Sequence, residues 1–251
     1  MVINASRNQP QQESPLPEFP GDRLALQMNQ QRDLYSCGPT CLQAVYRHFG
    51  DQIALDLLIR EVRSLEGGGT LAVLLGCHAL ERGYRAILYS YNLRVFDPTW
   101  FSLGREEMAL RLGKSVLTME GKRKRTAAEA YQRFLHLGGE VRMEDLSGQL
   151  LRGFLDNRVP ILTGLSATYL YQAPREMGTR DDDIRGDPQG HFVVLSGYEP
   201  QEDQVLVADP LGGTPWVTST FYPVPMDRLL TAILLGVLTY DANLLILQPE
   251  R

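Results

Sequence analysis

The stretch Gln31-Arg32-Asp33-Leu34-Tyr35-Ser36-Cys37-Gly38-Pro39-Thr40-Cys41-Leu42 is where the fold of this chain is decided. Cys37, Cys41, Val45 and Phe49 recur four apart and Gly50 closes the run, which predicts a helix with one buried face and Cys37 at its start. Pro39 fits the first turn, where the amide it lacks has no helical partner to lose. A thiol in that place meets unsatisfied backbone amides and the positive end of the helix macrodipole, and both favour thiolate over thiol. Gly38 lets the backbone come close to a bound carbonyl. Cys41, one turn deeper on the stripe, and Cys77, inside a later helical pattern, read as buried structural thiols. Cys37 and Cys41 have no second close pair of Cys or His beside them, so no metal site is expected.

Working outward, two further helical patterns cover Leu55 to Leu65 and Thr70 to Arg82, and the alternating run Tyr84 to Tyr91 reads as a strand. Asp97-Pro98 opens a loop, and Lys122 to Leu137 reads as a basic helix on the surface before Gly138-Gly139. A helix over Leu146 to Asn157 leads into an apolar strand, Pro160 to Gly164. Ser166 to Gly190 is a long stretch of turn and charged residues with no element of its own. Beyond it, His191 to Tyr198, Gln204 to Ala208 and Trp216 to Phe221 read as strands, a Pro-headed helix spans about 225 to 238, and Asn243 to Gln248 is a last strand. The predicted class is α+β, a helical N-terminal half packed on an antiparallel sheet.

The 251 residues are 43% hydrophobic, enough for one domain with a full core, and no Gly/Ser-rich linker divides them. Residues 1–22, rich in Gln, Asn, Pro and Glu, are expected to be a disordered leader; 23–251 form the domain, with insertions near 92–148 and 166–190. The formal charge of −5 carries no basic footprint, so neither nucleic acid nor an anionic membrane is an expected partner. Leu229 to Leu238 is about half the length of a bilayer-spanning helix, and Met1 to Arg23 has no signal-peptide core, so the expected location is cytoplasmic. Three cysteines are too few for a disulfide scaffold, and no cofactor is expected. Composition leaves the oligomeric state open.

Three of the four histidines, His48, His78 and His136, fall inside helical patterns and read as surface or core-edge residues. His191 differs. It opens an apolar strand directly after Gly190, which leaves its ring at a sheet end. Ala208-Asp209-Pro210 ends the next strand, and a hairpin of this length brings the Asp209 carboxylate beside the imidazole. A helix-capping cysteine, a histidine at a strand start and an aspartate on the neighbouring strand together predict a thiol nucleophile (Cys37), its general base (His191) and the group that orients the base (Asp209).

The box Gln31 to Leu42, with His191-Phe-Val-Val-Leu-Ser-Gly-Tyr and Val207-Ala-Asp209-Pro210, resembles the papain-like cysteine peptidases that remove double-glycine leader peptides from bacteriocins, and the stand-alone proteins similar to them. By order and spacing the resemblance covers roughly 24–90 and 150–215. It implies a papain-like fold and a cysteine peptidase acting on a peptide or amide bond through a thioester on Cys37. It also implies that Gln31, six positions before the nucleophile, contributes to the oxyanion hole, where its side-chain amide can donate beside the Cys37 backbone amide. Gln30 is adjacent and stays open as the donor. The transporter members of the family carry membrane and nucleotide-binding domains, whereas this chain has no Walker glycine loop, so their leader-peptide substrate does not transfer. The same acyl-enzyme serves an acyl or peptidyl transferase, and a degenerate scaffold would only bind peptides; such a scaffold has no need of the four residues kept here. Substrate contacts are expected from Gly38, Gly190, Tyr169 and Tyr171, with Arg175, Asp181, Asp182, Asp183 and Asp187 making Ser166 to Gly190 a charged gating loop.

Overall fold

In a computed structural model, residues 19–65, 68–215, 217–240 and 242–250 are described. Most of the leader read into residues 1–22 lies outside them; Asp22–Arg23, at its end, form the short strand β1. Then follow α1 (Cys37–His48), α2 (Leu55–Glu61), α3 (Ala72–Glu81), β2 (Tyr84–Ser90), α4 (Arg105–Val116), α5 (Lys122–His136), β3 (Glu140–Arg142) and α6 (Gly148–Asp156). The second half carries β4 (Ile161–Ser166), α7 (Ala167–Tyr171), β5 (Glu176–Met177), β6 (Arg180–Asp181), β7 (Gly190–Glu199), β8 (Gln204–Ala208), β9 (Phe221–Pro225), α8 (Met226–Leu235) and β10 (Asn243–Pro249). The fold is α+β. One sheet runs in the order β3-β2-β10-β4-β7-β8-β9, with β1 added to β7. Its pairs are antiparallel except β2 with β3.

Both faces of the sheet are covered, which explains why β4 and β7 are apolar along nearly their whole length. Phe192 and Val194 of β7 pack with the α1, α3 and α5 side chains, while the alternating Val193 and Leu195 pack with Leu151 of α6 and Leu229 and Ile233 of α8. The β7–β8 register pairs Val194 with Ala208, and β4–β7 pairs Ser166 with Gly190. The end of β4, the start of β7 and the end of β8 therefore meet at one edge of the sheet, and the start of α1 is brought there by helix packing against β7.

Several expectations are corrected. The strand read over Trp216 to Phe221 is instead β9, Phe221–Pro225, with 218–220 in bends; Trp216 itself lies outside the described residues. Pro223 and Pro225 argued against that strand, but β9 is the edge of the sheet, where a missing donor costs no ladder bond. The region 92–148 holds α4, which buries Met108, Ala109 and Leu112 against α5, and the parallel strand β3. Ser166 to Gly190 is not structureless: it contains α7 and the β5–β6 hairpin. Its acidic run is partly spent internally, since Asp182 accepts the amides of Ile184 and Arg185 and pairs with the Arg185 side chain.

Phe134 of α5 is fully buried and fills the space over Gly76 of α3, where a Cβ would come within 2.6 Å of its ring. Phe134→Ala is expected to cost about 3–5 kcal/mol of stability by chemical denaturation, the usual range for emptying such a site.

Candidate active site

Helix α1 begins with Cys37, a free, half-buried thiol. Ser36 stands at the N-cap but makes no side-chain cap, because its hydroxyl turns back to accept the amides of Arg32 at 3.1 Å and Asp33 at 3.2 Å. The serine thus shapes the loop before the nucleophile and leaves the first amides of α1 without a side-chain partner. Gly38 has a packing reason of its own: a Cβ there would meet the Thr70 methyl at 2.7 Å and the Phe192 ring at 3.3 Å. Any larger residue would push the helix start away from β7.

His191 is buried at the start of β7, and its Nε2 lies 2.9 Å from Asp209 Oδ1. Cys37 lies near enough to the ring to help keep it charged, and with Nε2 on Asp209 it is Nδ1 that is left for the thiol. By alternation His191 belongs with Val193 and Leu195 on the α8 side of the sheet, whereas α1 lies on the other side. Cys37 and His191 therefore approach each other around the end of the sheet.

Asp209, just past the end of β8, is completely buried, and both its oxygens are occupied. Oδ1 also accepts the Leu211 amide at 2.8 Å, and Oδ2 accepts the hydroxyls of Tyr171 and Tyr222, each at 2.6 Å. Burial pushes this carboxyl upward, but the His191 charge, its hydrogen bond and the two tyrosine hydroxyls outweigh it and hold Asp209 below the usual carboxylate range. Burial pushes His191 downward, yet the Asp209 charge and hydrogen bond, helped by Cys37, hold the imidazole above its usual range. The pair favours an imidazolium facing the thiol.

Gln31 is tied to this edge by its backbone amide, which donates to Pro210 O at 2.9 Å. Its side-chain nitrogen donates to Asp33 O at 2.9 Å, and its Oε1 is buried without a partner. An amide nitrogen carries two hydrogens, so one is left over for a bound oxyanion. Gln30 donates one side-chain hydrogen to Gly212 O at 2.8 Å and, like Gln31, keeps a second, so both remain candidate donors. Tyr171 was expected at the substrate, but its hydroxyl is on Asp209 and its ring meets His191 edge-on at 6.1 Å. Tyr169 is exposed under the Arg228 guanidinium, and Gly190 is exposed at the start of β7.

Tyr222 was not singled out by any motif, because its part depends on β9 pairing with β8. Cys41 is buried with its thiol 3.2 Å from Phe192 O, and burial pushes it well upward; burial pushes the Cys77 thiol up to about 12. His48 and His78 make helix-edge contacts, and His136 is exposed. Among the described residues no cluster of His, Cys, Asp and Glu is arranged to hold a metal ion. No helix there is long and apolar enough to cross a membrane.

The two shifts set a pH window. Asp209, depressed on folding, contributes stability above its unfolded value of 3.8 that is lost as pH falls through its lower folded value. His191, raised on folding, contributes stability below its unfolded value of 6.5 that is lost as pH rises through its higher folded value. The melting-temperature gap between the native chain and Asp209→Asn is therefore expected to be widest between these values and to shrink on either side.

Residues 112–223 match the model of the Peptidase_C39 like family. No curated protein matches the chain. Among solved structures, the chain is similar to a C39-like peptidase from Bacillus anthracis at 15% identity, over 90% of this chain and 96% of that one, with a TM-score of 0.46. It is similar to a double-glycine motif protease from an AMS/PCAT transporter, solved with its leader peptide, at 13% identity over 91% and 94%, with a TM-score of 0.43. It is also similar to xylellain, a cysteine protease from Xylella fastidiosa, at 15% identity over 94% and 87%, with a TM-score of 0.44. The segment that matches this family model, residues 112–223, contains His191 and Asp209 and begins after Cys37.

Proposed function

We propose that this protein is a cysteine peptidase that cleaves a peptide or amide bond through a thioester on Cys37. The observation that carries the reading is the bond from the His191 ring to the buried Asp209 carboxylate at 2.9 Å, with Cys37 at the start of α1 close enough to act on the same ring. Cys37 Sγ attacks the carbonyl carbon as the thiolate partner of the imidazolium, and the oxygen takes up the charge. The uncapped amide of Cys37 and the second hydrogen of the Gln31 side-chain amide stabilise that oxyanion. As the tetrahedral adduct collapses, the C–N bond breaks and His191 gives its proton to the leaving amine. Neutral His191 then takes a proton from water, whose oxygen attacks the thioester, and collapse of the second adduct returns the proton and frees the thiol. Asp209 stays ionised throughout and holds the ring in place.

In iodoacetamide labelling read by intact mass, Cys37 is expected to react faster than Cys41 or Cys77, since only Cys37 joins a helix start to a histidine partner. Preferential labelling of either buried thiol contradicts the assignment. Cys37→Ala should abolish cleavage of an internally quenched peptide library while the fold persists. Gln31→Ala should lower the turnover rate about 100 to 1000-fold with little change in affinity. A collapse in Gln30→Ala with Gln31→Ala unimpaired would move the oxyanion donor one residue upstream. Asp209→Asn should be damaging, but less so than His191→Ala.

A further inference from the structure

Two tyrosines reach Asp209 from different elements. Tyr171 closes the short helix α7 in the segment between β4 and His191, and Tyr222 sits on the edge strand β9. Each places its hydroxyl 2.6 Å from Oδ2, the oxygen that His191 does not use. Behind them lies a cavity of about 340 Å³ lined also by Leu170, Val217, Val224 and Arg228. The two hydroxyls stand between that cavity and the buried carboxylate.

We propose that Tyr171 and Tyr222 are a pair of positioning residues for the reaction, a clamp that fixes the ionised Asp209 carboxylate so that Oδ1 alone is presented to His191. This rests on the peptidase reading of the site. A carboxylate with one occupied oxygen can turn about its Cβ–Cγ bond and bring either oxygen to the imidazole. With Oδ1 on the Leu211 amide and Oδ2 on two phenols, only one orientation satisfies every group. The hydroxyls also take the place of water, which the site excludes at full burial. The groups that face Asp209 are His191 from β7, Tyr171 from α7, Tyr222 from β9 and Cys41 from α1, with Cys37 beyond the imidazole. No lysine or arginine is among them, so the phenols are the donors other than His191 and the Leu211 amide that favour the ionised form.

Removing one hydroxyl while keeping the ring weakens the ionised form of Asp209, so protonation sets in at higher pH and the imidazolium loses its counter-charge earlier on acidification. The probe is iodoacetamide, with the rate of Cys37 alkylation measured from acid to alkaline pH, which requires no knowledge of the substrate. In Tyr171→Phe and Tyr222→Phe the acid limb is expected to move up by about one pH unit, the size of one hydrogen bond to a charge, and further in the double variant. The alkaline limb should not fall, because Asp209 remains ionised there. In an Asp209→Asn background the same tyrosine changes should add no shift of the acid limb. A purely structural part for the phenols would lower the melting temperature and leave the profile in place. If the double variant does not fold, the single variants decide. Fast Cys37 labelling with superimposed acid limbs overturns the clamp alone, whereas slow Cys37 labelling in the unaltered chain overturns the peptidase reading and the clamp with it.

Discussion

A carboxylate with no solvent exposure, Asp209, sets the terms for the rest of this structure. Taking such a charge out of water costs several kcal/mol unless partners replace its hydration. Here the replacements come from four places in the chain: the His191 ring, the Leu211 amide, and the hydroxyls of Tyr171 and Tyr222. Each requires a separate element to be correctly placed. The β7–β8 register brings His191 and Asp209 to one sheet edge, β9 must pair with β8 to deliver Tyr222, and α7 must fold back to deliver Tyr171.

The nucleophile is coupled to that centre by ordinary packing. Helix α1 is buried from Gly38 to Tyr46 and leans on β7, with the Cys41 thiol against the Phe192 carbonyl, one residue from the base. The buried Cys41 therefore helps to set the distance between Cys37 and His191. The bare space at Gly38 serves the same contact, since the Thr70 methyl and Phe192 occupy the place of a side chain. The family match spans His191 and Asp209 but begins after Cys37, so it is this packing that brings Cys37 to the matched segment.

Much of this was legible in the sequence wherever the signal is local. The four-residue spacing after Cys37 gave α1, the unbroken apolar run gave β7, and Gln204 to Ala208 agrees with β8. Helix α8 and strand β10 were also readable from pattern alone. What escaped depends on pairing between distant residues. Two prolines masked β9, because a strand is excused its missing donors only once it is known to be an edge. In α4 the charged residues of Arg105 to Lys114 hid a narrow apolar stripe whose meaning comes from α5. The bonds of Tyr171 and Tyr222 to Asp209 could not be read, since nothing in spacing reveals a hydroxyl aimed at a residue on another strand. The six-residue step from Gln31 to Cys37 could be read, whereas the bond from its amide to Asp33 O could not.

The central claim is that buried Asp209 keeps His191 charged and aimed at Cys37 at neutral pH. Nitrogen-15 NMR of the histidine rings in the intact chain, with His191→Ala used to assign the signal, measures this directly. Both His191 ring nitrogens should have imidazolium shifts at pH 7, and that state should persist well above the ordinary histidine value of 6.5. A neutral ring at pH 7, titrating near 6.5 as in an exposed histidine, would contradict the account.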